Sequence, residues 1–167
     1  DIPYNAEKIH GISTELAHQN GKPLQEVLQL FNEVIGKAKF IVGQNITFDL
    51  NVMGCEFHRL SVETPMLSLP ILDTCTEVTA SLLQLPGGRG GKFKLPTLTE
   101  LHEYLFNVPF SEAHNATADV EATTRCFLEL IRLKIFTAKE LQTDVQYFDR
   151  FLTANPTPFS AVGLQHI

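Results

Sequence analysis

In "HNATAD", residues 114 to 119, a histidine and an aspartate stand five positions apart, His114 and Asp119. A second aspartate, Asp49, closes "GQNITFD", residues 43 to 49. An imidazole with a pKa of about 6.5 can take a proton from water near neutrality. Carboxylates are ligands for hard divalent cations. Together these groups could perform metal-assisted hydrolysis. Each also has a plainer reading. A carboxylate near a helix N-terminus gains about 0.3–1 kcal/mol from the macrodipole, and a histidine just outside a helix can be a surface or capping group. The plainer reading is weaker at Asp49, because Phe48 and Leu50 flank it with apolar surface.

The elements that must carry these residues follow from periodicity. Residues 22–38 place Leu24, Val27, Leu28, Phe31, Val34 and Ile35 on one helical face. "KFIVG", 39 to 43, predicts a short buried strand ended by Gly43. A tight turn at Asn45 and Thr47 then leads Asp49 into a helix over 46–60. "LPILD", 69 to 73, predicts a second strand. "TCTE" at 74, "TLTE" at 97 and "TAKE" at 137 have the capping-box pattern. They predict helices ending near Leu85, Phe106 and Leu152. A long helix is expected over 116–136, and "PGGRGGKFKLP", 86 to 96, as a loose glycine-rich loop. Strands alternating with helices imply an α/β protein, with ligands gathered at the carboxyl ends of the strands, where Asp49 falls. Two strands make a poor parallel core, so further strands are expected, either within residues 1 to 20 or upstream.

A length of 167 residues suffices for one domain with its own core. A net charge of −6 argues against a protein that coats nucleic acid through a basic surface. It does not oppose an enzyme that handles nucleic acid through metal ions held by carboxylates. No apolar run is long enough to span a membrane, and no secretory signal opens the chain. Cys55, Cys75 and Cys126 form no CxxC pair and read as reduced core thiols of a cytoplasmic protein.

"GQNITFD" and "HNATADVEAT" together resemble the second and third motifs of the DnaQ-like 3′–5′ exonucleases, whose fold is RNase H-like. Gly43, Asn45, Phe48 and Asp49 match the second motif, with Gln44 in place of its histidine. His114, Ala116, Asp119, Ala122 and Thr123 match the third. The histidine five residues before the aspartate is the DEDDh arrangement. "IPYNAEKIHGIS", "LPILDT" and "KLPTLTELHEYLF" are similar to further family segments, so the similarity covers residues 2 to 135. It is closest to the exonuclease of bacterial DNA polymerase III. The resemblance implies a mixed sheet flanked by helices and two ions, Mg²⁺ or Mn²⁺. Asp119 and Asp49 would serve as metal ligands and His114 as general base. His10, Gly11, Asn45 and Phe48 would lie toward the substrate, a DNA 3′ end, and replicative polymerase subunits would be the partners. A related RNA 3′ exonuclease, or a catalytically incomplete docking module of a polymerase, are the alternatives.

The family's first motif, D-x-E, must precede "IHGI", and no such triplet lies there. The expectation is therefore an exonuclease-like domain over 1–136 that lacks its N-terminal strands, followed by a C-terminal helix and linker over 137–167. Such a piece would be weak or inactive, with the intact parent active. "LDTCTE" does not replace the motif, because Asp73 and Glu77 are four apart and read as a strand end and a helix cap. "GGRGGK" lacks phosphate-loop spacing, although Arg89, Lys92 and Lys94 could meet a nucleic-acid backbone. His18, His58, His102 and His166 show no metal-ligand spacing.

Overall fold

The computed structural model describes residues 1–108 and 115–160. The chain divides into two compact units, Asp1–Leu72 and Asp73–Ile167.

The first unit opens with two short helices, α1 (Tyr4–His10) and α2 (Thr14–Asn20). The further strands that residues 1 to 20 might have held are therefore helices. Ser13 caps α2 by accepting from the Leu16 amide at 3.0 Å. α3 (Leu24–Ile35) follows, and its apolar face is narrower than its sequence suggests. Leu28 and Ile35 are buried, whereas Val27 and Val34 are exposed. The core of this unit gathers Leu28, Phe57 and Met66, with Leu24, Phe31, Ile41, Leu50 and Met53 packed around them.

β1 (Ile41–Gly43) leads into α4 (Thr47–Arg59), and β2 (Ile71–Asp73) lies beside β1 in a two-stranded parallel sheet. The Ile41 amide donates to the Pro70 carbonyl at 2.9 Å. All three residues of β1 are half-buried rather than buried. Among the described residues this pair is the sheet, and the fold is α/β with a small parallel sheet.

The second unit contains α5 (Glu77–Leu83), α6 (Leu98–Phe106), α7 (Ala116–Arg132) and α8 (Val145–Ala154). α6 packs against both α5 and α7. Leu101, Ala122, Cys126 and Leu130 have no accessible surface and form its centre. Of the three cysteines, Cys126 is buried and its thiol is pushed up to about 12 by that burial. Cys55 is exposed, so it is not a core thiol.

The capping boxes divide three ways. The one at Thr97 and Glu100 forms as its sequence predicts, opening α6. At "TCTE" the cap is two residues later. Thr76 accepts from the Thr79 amide and Thr79 Oγ1 answers the Thr76 amide, because Asp73 already holds the Cys75 amide at 2.8 Å in a turn. At Thr137 and Glu140 the reciprocal bonds are present, yet they close only a turn. Gln142 enters the left-handed region at φ 50°, and α8 begins afresh under its own cap, Asp144. α7 also stops short of 136. Lys134 adopts φ 61°, and the Ile135 amide turns back to the Leu130 carbonyl at 2.8 Å.

Residues 86–96 are a closed loop rather than a loose one. A side chain at Gly88 would meet the Lys92 carbonyl oxygen at 2.2 Å, so the chain crosses itself there and only glycine fits. The Lys94 amide donates to the Leu85 carbonyl, Lys92 pairs with Glu77, and Lys94 Nζ lies 2.5 Å from Glu100. Two of the three cations proposed to meet nucleic acid are thus engaged with carboxylates.

Candidate active site

Asp49 is presented by a turn that its neighbours make obligatory. A β-carbon on Gly43 would lie 2.5 Å from Ile46 Cδ1, so the strand can end against the buried Ile46 side chain only as glycine. Asn45 takes a left-handed conformation, φ 56°, which asparagine tolerates better than most residues. Its carbonyl accepts from the Phe48 amide at 3.3 Å, and Ile46 accepts from Leu50 at 3.0 Å. α4 then starts with no side-chain cap, and Asp49 falls in its first turn. Asp49 is exposed and Phe48 beside it is 68% exposed, while Leu50 packs into the core. The turn thus brings Asn45, Phe48 and Asp49 together and holds an aromatic face and a carboxylate out of the core.

His10 and Gly11 form a separate corner. Gly11 ends α1 at φ 74° with its amide on the Glu7 carbonyl, and the Ile12 amide donates to His10 Nδ1 at 3.0 Å. None of their hydrogen bonds reaches the Asn45–Asp49 turn.

In the second unit Asp119 lies in the first turn of α7, half-buried. Asn115 is the cap of that helix. Its Oδ1 accepts from Thr117 and Ala118 at 3.1 and 3.3 Å, and its carbonyl accepts from Asp119 at 2.8 Å. Asn115 has no place in the motif pattern, although asparagine directly before a helical run is a cap signal. His114 lies outside the described residues.

Among the described residues, neither the Asp49 nor the Asp119 carboxylate is taken up by an ion pair or a hydrogen bond. Both are oxygen donors at helix starts, where the first amides are directed outward. That donor chemistry suits Mg²⁺ or Mn²⁺, which prefer oxygen ligands. Among the described residues no group of three or more His, Cys, Asp or Glu gathers to hold a metal. The two other acidic positions weighed as substitutes are otherwise engaged. Asp73 holds the Cys75 amide, and Glu77 pairs with Lys92. Glu121 lies 3.9 Å from Arg125 on its own helix.

Two polar groups of this unit carried no motif signal. Glu129, 1% exposed, is held by Arg132 and accepts from the Phe159 amide at 3.2 Å. His102 is buried between α6 and α7. Among the described residues no helix is long and apolar enough to cross a membrane.

The model of the Exonuclease (RNase T) family matches residues 1–127, which include both aspartates, their helix starts and His114. No curated protein matches the chain significantly.

Proposed function

This chain belongs to the Exonuclease (RNase T) family, a family of hydrolytic nucleases, and from that premise we propose that it removes nucleotides from DNA 3′ ends, proofreading for a bacterial DNA polymerase III. The observation that carries the reading is a pair. Asp49 and Asp119 both sit in the first turn of a helix, and among the described residues neither carboxylate is taken up by a partner.

Family members generally use divalent metal ions. In this reading Asp119 and Asp49 hold Mg²⁺ or Mn²⁺, and the bound ions supply charge neutralisation at the scissile phosphodiester. His114 takes the proton of the attacking water. Phe48 offers its exposed ring to the terminal base, since stacking on an aromatic face is tolerant of sequence. Asn45, His10 and Gly11 contribute polar contacts toward the substrate strand. Replicative polymerase subunits are the partners, because proofreading acts where the 3′ end is made.

The test is polarity and sugar preference, measured on the natural protein in its full length. Single-stranded DNA labelled at its 5′ end should shorten stepwise with Mg²⁺ or Mn²⁺, and a blocked 3′ end should stop it. Degradation from the 5′ end would overturn the reading. Faster loss of a matched RNA oligomer would move it to the RNA branch, where contacts to the 2′-hydroxyl decide. The alternative is a docking module without chemistry. A docking module would keep its activity in polymerase assembly when Asp119 becomes alanine.

A further inference from the structure

We propose that His102 is a positioning residue, a neutral imidazole bridge that locks the exit of α6 to α7, the helix that bears Asp119. The proposal deepens the reading above and rests on it.

The bridge follows from what each partner can do. His102 Nδ1 lies 3.2 Å from the Val108 carbonyl oxygen, which can only accept. Nδ1 therefore carries the proton. Arg125 Nε lies 3.3 Å from His102 Nε2, and a guanidinium can only donate. Nε2 is therefore bare. The two contacts together admit one species of histidine, the neutral Nδ1–H tautomer. It is not the tautomer that a histidine side chain prefers in water.

The surroundings hold it in that state. His102 is 5% exposed, and its ring packs on Phe106 with centroids 4.8 Å apart. The charged group facing it from α7 is Arg125, itself 3.9 Å from Glu121. Burial, with a smaller contribution from the Arg125 charge, lowers the His102 pKa below its ordinary value, against the opposing pull of the Val108 carbonyl. An imidazolium here would lose the acceptor at Nε2 and set two cations against each other.

The position of the bridge gives it a task. Val108 is two residues past the end of α6. Arg125 is on α7, six residues after Asp119. One side chain thus fixes the point where the chain leaves α6 and the register of the helix into which it returns. Histidine suits this, because its two nitrogens are directed apart and can donate on one side and accept on the other. The helix α6 has no comparable polar side chain in its buried set, which is otherwise Leu101 and Phe106.

Two measurements on the natural protein test the proposal. The first is the nitrogen-15 spectrum of the His102 ring in the wild type. The expected result is Nδ1 protonated and Nε2 bare at neutral pH. The reverse tautomer, or an imidazolium, overturns the bridge. The second is steady-state cleavage of single-stranded DNA by two variants. His102→Phe keeps the aromatic packing and removes both bonds. His102→Asn keeps a donor near the Nδ1 position. The His102→Phe variant is expected to lose roughly 10- to 100-fold in kcat with KM little changed, as small misplacements of a catalytic group do. The His102→Asn variant should recover much of that loss. A His102→Phe variant with wild-type kcat, or equal loss in both variants, overturns the positioning role. A wild-type protein that cuts nothing while showing the expected tautomer sinks the nuclease reading, and the positioning role with it, but leaves the bridge standing. An active wild type with an indifferent His102→Phe variant sinks this inference alone.

Discussion

The side-chain oxygen of Asn115 accepts a hydrogen bond from the Ala118 amide at 3.3 Å, one residue before Asp119. The same oxygen takes the Thr117 amide, and the Asn115 carbonyl takes that of Asp119. The conformation of the backbone at Asp119 is thus decided by its neighbour four positions earlier. Replacing Asn115 by alanine should cost about 1 kcal/mol of stability, as the loss of a cap generally does. Asn115→Asp should cost little, since aspartate caps equally well. Chemical denaturation followed by circular dichroism reads both, and equal stability of all three proteins would contradict the assignment.

Gly43 makes a sharper case. An added methyl would sit 2.5 Å from Ile46 Cδ1 and 2.8 Å from its Cβ and Cγ1. Relief requires the buried Ile46 side chain or the strand end to move. Gly43→Ala should therefore destabilise by about 1–3 kcal/mol, the usual cost of overpacking. The double variant Gly43→Ala with Ile46→Ala should lose less than the sum of the two single changes, because the clash is then absent. Additive losses would show that the two residues do not press on each other.

Much of this was legible in the sequence, and the misses have local causes. Both strands and the starts of α4, α6 and α7 follow from alternating apolar runs and from Thr97 with Glu100. The cap at "TCTE" was displaced because a carboxylate at Asp73 competes for the same turn, which a pattern of spacing does not weigh. The box at Thr137 formed and still opened no helix, because a capping box satisfies amides but does not propagate a helix past a left-handed Gln142. Val27 and Val34 match the period of α3 yet stay exposed, since periodicity reports a face and not what covers it. At the candidate site, the placement of Asp49 and Asp119 in the first turns of helices was legible, because apolar periodicity is a local signal. Asn115 could have been read from its place before the helix. The His102 bridge could not, because its partners, Val108 and Arg125, are 6 and 23 residues away and meet it only in the folded chain.

Glu129 ties the segment after α8 to α7. Its carboxylate is buried, holds Arg132 and accepts the Phe159 amide, while the Phe159 ring stacks on Phe151 with centroids 5.8 Å apart. Glu129→Ala leaves the Phe159 amide without its acceptor and should cost about 1–3 kcal/mol. Glu129→Gln keeps an acceptor and should cost less. Protease cleavage within 155–160 should accelerate in the alanine variant. Unchanged cleavage would mean that the carboxylate does not hold this segment.

The pH dependence of stability should carry the His102 signature. The folded protein keeps this histidine below its ordinary pKa, chiefly through burial, so between the folded and unfolded values the unfolded chain binds more protons. Its contribution is therefore complete above the unfolded value of about 6.5 and is lost as pH falls through the folded value. Denaturation midpoints of the wild type and of His102→Phe, compared across that range, should converge as the solution becomes acidic. A difference between them that is constant with pH would contradict a histidine held neutral by the fold.

Asp49 and Asp119 are proposed to act in one reaction. The direct measurement is Mn²⁺-supported nucleotide release from single-stranded DNA by the full-length natural protein, by Asp49→Ala, by Asp119→Ala and by the double variant. Residues that work as a unit show grossly non-additive losses. Each single change should abolish most of the activity, and the double change should take away little more. Release that survives Asp119→Ala undiminished, or losses that simply multiply in the double variant, would contradict it.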